Sequence, residues 1–331
     1  MEDSPKKRRE AEREELRRLM ERAASLLAAV GVLLTLLFSK AFPKELTALT
    51  AALTGPQSAV SAVDDDDLPS PTPYLSIRLA DVDKDVSPEV VIRLMGLTPV
   101  SSKVKLKGDE PRILVYHTHD TEAYRPTPDS SYTPTGDCRT EDASKSVFAV
   151  GEELCRILRE EYGIIAIHAE ERHEKPLITS AYSRSLETMR RYKQMYPSIE
   201  MFIDLHRDGV ADTGFENDFV TVDGLECARM MFVVGTGKSG KSSQNAPSED
   251  PDTVNDMPDF ESNYALALRL TETLISYDPR FMRNVRVKSG KYNQQVSSRC
   301  LLVEVGHNAN TLEQALNSMN YLAKAIASLE N

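Results

Sequence analysis

The sequence predicts an α/β protein of three layers with a largely parallel central sheet. Three short apolar runs, at residues 112–117, 201–206 and 300–304, have the composition of strands that are buried on both faces. Stretches with helical periodicity lie between them. Strands that alternate with helices are typical of a layered fold with a mostly parallel sheet.

The first half of this domain is expected to alternate strand and helix. After the strand at 112–117, a loop rich in Pro, Thr and Ser leads to an amphipathic helix over residues 144–162. Gly163 is expected to stop that helix. A strand at 164–168 and a second helix over 180–195 follow, and Pro197 lies just beyond the end of that helix.

The second half begins with the strand that closes on His206. Residues 218–222 and 228–234, joined around Asp223-Gly224, predict a hairpin. A polar, low-complexity loop at 236–258 is expected on the surface. The remaining expected elements are a helix at 261–277, a short strand at 285–288, the strand that ends at Glu304 and a closing helix at 312–329.

The amino-terminal part is predicted to anchor the protein in the cell membrane. A charged segment, residues 1–22, precedes an apolar stretch at 23–42, which is close to the ~20 residues of a spanning helix. The positive residues before it predict a cytoplasmic amino terminus and an extracytoplasmic domain. A cleaved signal peptide is the alternative. Residues 43–110 are expected to form a linker and a short preliminary segment, and residues 111–331 the catalytic domain.

Charge and cysteine content exclude two classes of function. The net charge of −11 argues against nucleic acid as a partner, because binding phosphates needs a basic face. Cys138, Cys155, Cys227 and Cys300 are scattered, with no spacing typical of a zinc knuckle or a redox motif. We expect buried thiols, although the sequence leaves a disulfide between them open.

Polar residues at the ends of the three apolar runs predict a metal-dependent hydrolase site. His117, His206 and Glu304 end these runs, and the carboxyl ends of parallel strands meet at one edge of a sheet. Catalytic zinc takes three His or carboxylate ligands and a water molecule. His117 and His206 would be ligands, and Glu304 would act as general base and acid. His168 and His173 also follow a strand but are expected not to bind the metal.

The sequence leaves the first imidazole and the third ligand open. Residues i and i+2 of a strand share a face, so His117, His119 or both could bind. We prefer His117 because it closes the apolar run, which leaves His119 to contact substrate or support a ligand. Asp142, directly before the first helix, is the preferred carboxylate, and Glu141 and Glu122 are the alternatives.

Two further polar groups could reach the substrate. In the turn after the third strand, Arg207 could hold a carboxylate and Asp208 could orient a ligating imidazole. The segment Tyr292-Asn293-Gln294, which precedes the last strand, could contact a polar substrate. An ion pair within the turn and ordinary turn hydrogen bonding are equally good interpretations.

Several motifs resemble the stage II sporulation protein P family, in order over roughly residues 111–328. They are Tyr116-His-Thr-His-Asp-Thr-Glu-Ala-Tyr124, Val150-Gly151, Tyr162-Gly-Ile164, Ile203-Asp-Leu-His-Arg-Asp-Gly209, Met231-Phe-Val-Val-Gly235, Tyr292-Asn-Gln294, Leu302-Val-Glu-Val-Gly306 and Asn310-Thr311. The resemblance implies an amidase-like fold and a zinc-dependent hydrolase related to the N-acetylmuramoyl-L-alanine amidases. Such enzymes cut the amide between the muramic lactyl group and L-alanine in peptidoglycan. The resemblance also implies endopeptidase action on peptide cross-links.

The resemblance implies partners and site residues as well. The partners are a sporulation lytic transglycosylase and a membrane scaffold protein, which act together during engulfment of the forespore. The implied ligands are His117, His206 and Asp142, with Glu304 as the catalytic carboxylate. Ser146 stands where the related amidases have Asn, which leaves Glu141 as an alternative ligand. Two competing interpretations are an inactive wall-binding module of the same fold and a cytoplasmic metal peptidase with an amino-terminal interaction helix.

Overall fold

The computed structural model describes residues 81–83, 86, 94, 104–136, 138–210, 218–237 and 260–330. All of them belong to one compact unit, residues 70–331. The predicted segment at 1–22, the predicted anchor at 23–42 and most of the predicted linker and surface loop lie outside the described residues. Among the helices of the described residues, none has the length and apolar composition that a membrane span needs.

A six-stranded sheet forms the centre of this unit, and it confirms the predicted parallel character. The described residues form eight strands, which are, in chain order, β1 (Ile113–Tyr116), β2 (Ala166–His168), β3 (Met201–Asp208), β4 (Phe219–Val222), β5 (Leu225–Ala228), β6 (Met230–Gly235), β7 (Arg286–Lys288) and β8 (Cys300–His307). β4 and β5 pair with each other in a separate two-stranded sheet, and the other six strands form the central sheet. The order in the sheet is β2-β1-β3-β8-β6-β7. Neighbouring strands run parallel except β6 and β8, which are antiparallel.

Helices cover both faces of the sheet, which gives the predicted three layers. They are α1 (Val147–Tyr162), α2 (Ala181–Met195), α3 (Phe260–Ile275) and α4 (Leu312–Ala327). On one face, Ile113 and Val115 share a buried cluster with apolar side chains of α1, α3 and α4. On the other face, Leu114 and Tyr116 pack with Met189 of α2. This alternation along β1 is the period of two that a strand imposes.

The predicted hairpin is wrong in its second arm. Asp223 and Gly224 both have positive φ, 52° and 84°, as the short turn between β4 and β5 requires. That turn brings Val222 opposite Leu225, so β5 ends at Ala228. The following residues, β6, are buried at all positions and join the central sheet beside β8. A strand that is buried on both faces belongs in the interior of a sheet rather than in a surface hairpin.

Residues before the predicted boundary at Pro111 also contribute to the core. Val104 and Leu106 are buried, and the backbone N–H of Val104 donates to the carbonyl of Leu329 at 3.0 Å. Val82 forms a parallel bridge with Val287 of β7. The folded unit therefore begins earlier than the sequence predicts, because these contacts are made with the far end of the chain.

None of the four cysteines forms a disulfide. Cys155, Cys227 and Cys300 are buried, and Cys138 is half-buried. Burial raises the pKa of Cys155 and that of Cys227 to about 12, so both thiols stay protonated and unreactive at neutral pH. The prediction of buried thiols is confirmed for these three residues.

A polar network at Asp218 ties the β4–β5 hairpin to the end of β8 and gives the domain a pH-dependent stability. Oδ1 of Asp218 lies 2.7 Å from Nη1 of Arg229, and Oδ2 lies 3.0 Å from Nε2 of His307. Burial alone would raise the pKa of Asp218, but the hydrogen bonds from His307 and Arg229 lower it to about 2. The folded state therefore binds this proton less readily than the unfolded chain does.

We expect acid to remove this contribution. It is fully present above pH ~4, the ordinary value for Asp, and is lost as the pH falls towards 2. Between these limits the wild type should lose about 1 to 2 kcal/mol of unfolding free energy that Asp218→Asn does not lose. Urea unfolding of both proteins at pH 5 and pH 2.5 measures the difference. Parallel losses in the two proteins would contradict the assignment.

Candidate active site

A cavity of about 230 Å³ lies where β3 and β8 deliver polar side chains to the same part of the sheet. Its polar lining includes His119, Glu122, His206, Asp208 and Glu304. The parallel pairing of β3 with β8 places His206 directly opposite Glu304. The sheet register therefore brings together two residues that the sequence analysis assigned to one site.

His206 is buried between two carboxylates. Its Nε2 lies 2.9 Å from Oδ1 of Asp204, and its Nδ1 lies 3.5 Å from Oε2 of Glu122. Burial would lower the pKa of His206, but the charges of Asp204 and Glu122 outweigh burial and raise that pKa well above its usual value. Asp204 accepts hydrogen bonds from the N–H and the hydroxyl of Thr118, at 2.8 and 2.6 Å. Asp204 is thus a fixed support for the His206 ring, in the way that carboxylates orient ligating imidazoles.

Glu122 is the carboxylate that reaches the cavity. Its Oε2 accepts from the backbone N–H of Arg207 at 3.1 Å, and its Oε1 lies 3.6 Å from Nη2 of Arg139. Burial raises the pKa of Glu122, but His206 and Arg207 outweigh it and the pKa is lowered. Glu122 is therefore ionised beside His206. The sequence predicts Glu122 as an alternative third ligand, or as a residue that contacts substrate or supports a ligand.

His119 brings the second imidazole to the cavity. Its ring lies edge-on to that of His206, with 5.4 Å between the ring centroids. Nδ1 of His119 lies 2.9 Å from Oε1 of Glu174, which is itself held by Thr121 and Arg139. Because Nδ1 donates to this carboxylate, Nε2 keeps its lone pair and can serve as a ligand.

The structure does not bring His117, the preferred ligand, to the cavity lining, because its ring is engaged elsewhere. Nδ1 of His117 donates to the carbonyl of Leu205 at 2.8 Å, and its Nε2 lies 2.8 Å from Nε2 of His168. A Cβ at Gly151 of α1 would lie 2.5 Å from Nε2 of His117, so the ring packs directly on that helix. β1 ends at Tyr116, and the backbone beyond it turns. Because His117 and His119 lie beyond the end of the strand, the rule that residues i and i+2 share a face does not apply to them.

Asp142 and Glu141 also lie away from the cavity. Asp142 is exposed and caps the short 3₁₀ turn at Ala143–Lys145, accepting from the N–H of Ser144 at 3.0 Å. Glu141 forms a surface ion pair with Lys175 at 2.8 Å. Of the three carboxylates that the sequence offers as the third ligand, Glu122 is the one that lines the cavity. A helix-capping carboxylate is already satisfied by the backbone and faces solvent.

Glu304 has one buried carboxylate oxygen, Oε2, that lacks a hydrogen-bond partner within the described part of the chain. Burial raises the pKa of Glu304 to about 8; His206 opposes this shift and Glu122 adds to it. An unsatisfied buried carboxylate is costly for folding, so its presence indicates a functional role. A group with this pKa can both accept and donate a proton near neutral pH.

Arg207 and Asp208 line the cavity but are engaged elsewhere. The guanidinium of Arg207 donates to the carbonyls of Ala123 and Cys138, at 2.9 and 2.7 Å. It therefore holds the loop that carries Glu122 rather than presenting its fork to a substrate. Asp208 forms an ion pair with Arg283, and no contact of its side chain with an imidazole is seen among the described residues. The carboxylate that lies against the His206 ring is Asp204, two residues before His206.

Asn293 and Gln294 do not line the cavity, but each of them contacts a residue that does. Gln294 is buried, donates to the carbonyl of Val233 at 2.8 Å and accepts from the N–H of Gly235 at 2.8 Å. Tyr292 and Asn293 both have positive φ, 52° and 55°, which is strained for residues other than glycine. This turn points the ring of Tyr292 into the cavity. Of the predicted segment Tyr292-Asn293-Gln294, Tyr292 is therefore the residue that lines the cavity.

We expect Gly235→Ala to destabilise the fold at this turn. A Cβ at Gly235 would lie 2.4 Å from the carbonyl oxygen of Gly290 and 2.8 Å from that of Lys291. Since both are backbone atoms, the turn would have to shift, at a cost of about 1 to 3 kcal/mol. Gly136→Ala is the control, because its nearest neighbour atom would be 3.8 Å away. Chemical denaturation measures both, and equal stabilities would contradict the close packing.

The side chains around the cavity are of the types that bind zinc. His119, His206 and Glu122 supply two imidazoles and a carboxylate, and Glu304 adds the orphaned oxygen. Asp204 and Glu174 support the two rings. Within the described ranges, no three His, Cys, Asp or Glu side chains already stand at metal-binding spacing. Binding would therefore draw these side chains together.

Comparisons with known proteins agree with the resemblance. One relative is the stage II sporulation protein P of Bacillus subtilis (strain 168), 26% identical over 237 residues, which are 67% of this chain and 52% of the relative. The chain thus spans about half the length of this curated relative.

Two solved structures show a distant likeness. One is an N-acetylmuramoyl-L-alanine amidase from Clostridium difficile 630, with 13% identity and a TM-score of 0.35 over 67% of this chain and 95% of that chain. The other is the catalytic domain of the amidase CwlV from Bacillus (Paenibacillus) polymyxa, with 12% identity and a TM-score of 0.34 over 66% and 95%.

The family model for stage II sporulation protein P matches residues 58–327. That span contains the whole central sheet and every residue that lines the cavity. The chain therefore belongs to the stage II sporulation protein P family.

Proposed function

We propose that this protein is a zinc-dependent peptidoglycan hydrolase that cleaves an amide bond. The observation that carries the proposal is the pairing of His206 with Glu304 across β3 and β8, at a cavity that His119 and Glu122 also line. Two imidazoles and a carboxylate beside a second carboxylate are what metal-assisted hydrolysis requires.

The proposed metal ligands are Nε2 of His119, the imidazole of His206 and the carboxylate of Glu122. When bound, zinc would lower the pKa of a water molecule towards ~7 and polarise the substrate carbonyl. Asp204 holds the His206 ring at 2.9 Å, and Glu174 fixes the tautomer of His119. Both supports are in place before any ligand arrives, which limits the rearrangement that binding needs.

Glu304 is the proposed general base and acid. It takes a proton from the attacking water as the new bond to the carbonyl carbon forms. It then returns that proton to the amide nitrogen, the C–N bond breaks, and the products are a carboxylate and an amine. Its position opposite His206 in the sheet places it at the same cavity as the ligands.

The proposed substrate bond is the amide between the muramic lactyl group and L-alanine, with peptide cross-links as a second possible target. Membership of the family supports this choice. The proposed setting is septal wall thinning and engulfment during sporulation, together with a lytic transglycosylase and a membrane scaffold protein. These partners rest on the family resemblance.

We also propose that residues 23–42 anchor the protein, with residues 1–22 in the cytoplasm and the catalytic domain in the extracytoplasmic space between the mother-cell and forespore membranes. The apolar stretch and the positive residues before it support this orientation. A chain with a net charge of −11 would be repelled by anionic wall polymers. A tether would supply the local concentration that electrostatic attraction cannot.

Digestion of purified peptidoglycan by the full-length chain tests the proposal. The expected result is about one zinc per chain and peptides that carry a new amino-terminal L-alanine, with activity lost on chelation and restored by zinc. New amino termini on other residues would indicate endopeptidase action. Binding to the wall without any new amine, even after addition of a lytic transglycosylase, would contradict the proposal and indicate a wall-binding module.

A further inference from the structure

Tyr182, the second residue of α2, is one of the residues that line the cavity. The ring is edge-on to that of His119, with 5.7 Å between centroids and an interplanar angle of 90°. It is also edge-on to the ring of Tyr292, again at 5.7 Å. Tyr182 therefore touches one of the proposed metal ligands on one side and the strained turn on the other.

The hydroxyl of Tyr182 has no hydrogen-bond partner within the described part of the chain, although most of the side chain is buried. Two other largely buried tyrosines satisfy theirs: the hydroxyl of Tyr124 donates to the carbonyl of Val305 at 3.0 Å, and that of Tyr321 to the carbonyl of Val222 at 3.1 Å. A buried phenol normally finds such a partner. Tyr182 lines the cavity, so a substrate that binds there can supply the acceptor.

A chain of hydrogen bonds fixes the backbone of Tyr182 relative to the proposed metal centre. Nδ2 of Asn293 donates to the carbonyl of Tyr182 at 2.8 Å and to Oγ of Ser185 at 2.9 Å. Oγ of Ser185 lies 2.8 Å from Oγ1 of Thr118, which donates to Asp204 at 2.6 Å. Asp204 in turn supports His206. The network thus sets the distance between Tyr182 and the His206 ring without using the phenol itself.

We propose that Tyr182 is a catalytic residue that donates a hydrogen bond from its hydroxyl to the substrate carbonyl oxygen, which becomes negatively charged as water adds. The inference rests on the proposed function of the cavity. Donors that are aimed in advance at a developing oxyanion are among the largest contributors to catalysis. The phenol keeps its proton throughout, and no bond to it forms or breaks.

The electrostatics of the cavity keep this hydroxyl in its donor form. Burial, followed by the charge of Asp204, raises the pKa of Tyr182 far above neutral pH, and Glu304 and Glu122 act in the same direction. Ionisation would turn the group into an acceptor. Burial, together with the surrounding carboxylates, opposes that change.

Tyr182→Phe tests the inference, because it removes the hydroxyl and keeps the ring contacts. With full-length protein and the soluble substrate N-acetylmuramoyl-L-alanyl-D-isoglutamine, we expect kcat to fall by about 100-fold and KM to change by less than about three-fold. Zinc content and unfolding midpoint should stay at wild-type values. Tyr192→Phe, on the same helix and outside the cavity lining, is the matched control and should keep full activity.

The outcomes separate this inference from the proposed function. A Tyr182→Phe protein with wild-type kcat would overturn the role of Tyr182 and leave the hydrolase proposal intact. Loss of zinc or a lower unfolding midpoint in Tyr182→Phe would show a structural role and also overturn the inference. A wild-type protein that holds zinc and releases no amine would overturn the proposed function, and the catalytic role of Tyr182 with it.

Discussion

Glu304→Gln is expected to lower the rate of amide cleavage by about 10³-fold and to leave the zinc content unchanged. The glutamine side chain has the size of the glutamate side chain, but it can neither take the proton from water nor return it to the leaving nitrogen. Because the pKa of Glu304 is raised to about 8 by burial, a neutral side chain at this place should be tolerated by the fold. The release of new amino-terminal L-alanine from peptidoglycan measures the rate.

Glu313→Gln, an exposed position in the first turn of α4, is the matched control for the chemical change and should retain full activity. Zinc content separates the two possible roles of Glu304. If Glu304→Gln lost zinc and activity together, Glu304 would be a ligand rather than the base. If the variant kept its activity, the assignment of Glu304 would be wrong.

Replacing His119 with Ala is expected to weaken zinc binding by more than about 100-fold and to abolish hydrolysis. His119 lines the cavity 5.4 Å from the ring of His206, and Glu174 leaves its Nε2 ready to bind. Loss of a supporting group typically costs 10- to 100-fold in metal affinity, so loss of a ligand should cost more. Competition with a coloured chelator measures the affinity.

His117→Gln is the matched comparison, only two positions earlier in the chain. It should keep zinc affinity within about three-fold of wild type. Its stability should fall by about 1 to 3 kcal/mol, since His117 gives up buried hydrogen bonds to Leu205 and His168. The reverse pattern, with zinc lost from the His117 variant and retained by His119→Ala, would return the ligand role to His117.

Much of the fold could be predicted because its signals are local. β1, β3 and β8 are continuous apolar runs, and α1 has a capping Ser146 and a terminal Gly163 with φ of 65°. The assignment of His206 and Glu304 to one site needed only the rule that parallel strands end at one edge of a sheet. The register between β3 and β8 then places these two residues opposite each other.

The other site residues depend on contacts between distant parts of the chain. Glu122 reaches the cavity because its segment forms a β-bridge to Arg139. The periodicity of the sequence does not indicate such a bridge. The position of Asp142 directly before a helix is a strong sequence signal, and in the structure Asp142 caps the adjacent short 3₁₀ turn. Glu174 and Tyr182 come from a loop and a helix whose patterns show nothing unusual. Asp204, a lone charge within the apolar run of β3, is the one supporting residue that the sequence could have indicated.

In the proposed active site, one cavity would hold the metal between His119, Glu122 and His206, with Glu304 beside it. A crystal structure of the zinc-loaded protein, with data collected at the zinc absorption edge, tests this most directly. We expect a single anomalous peak within about 2.0 to 2.2 Å of ligand atoms from those three residues. A peak at the buried His117–His168 pair, or a zinc-loaded protein with no peak in the cavity, would contradict the account.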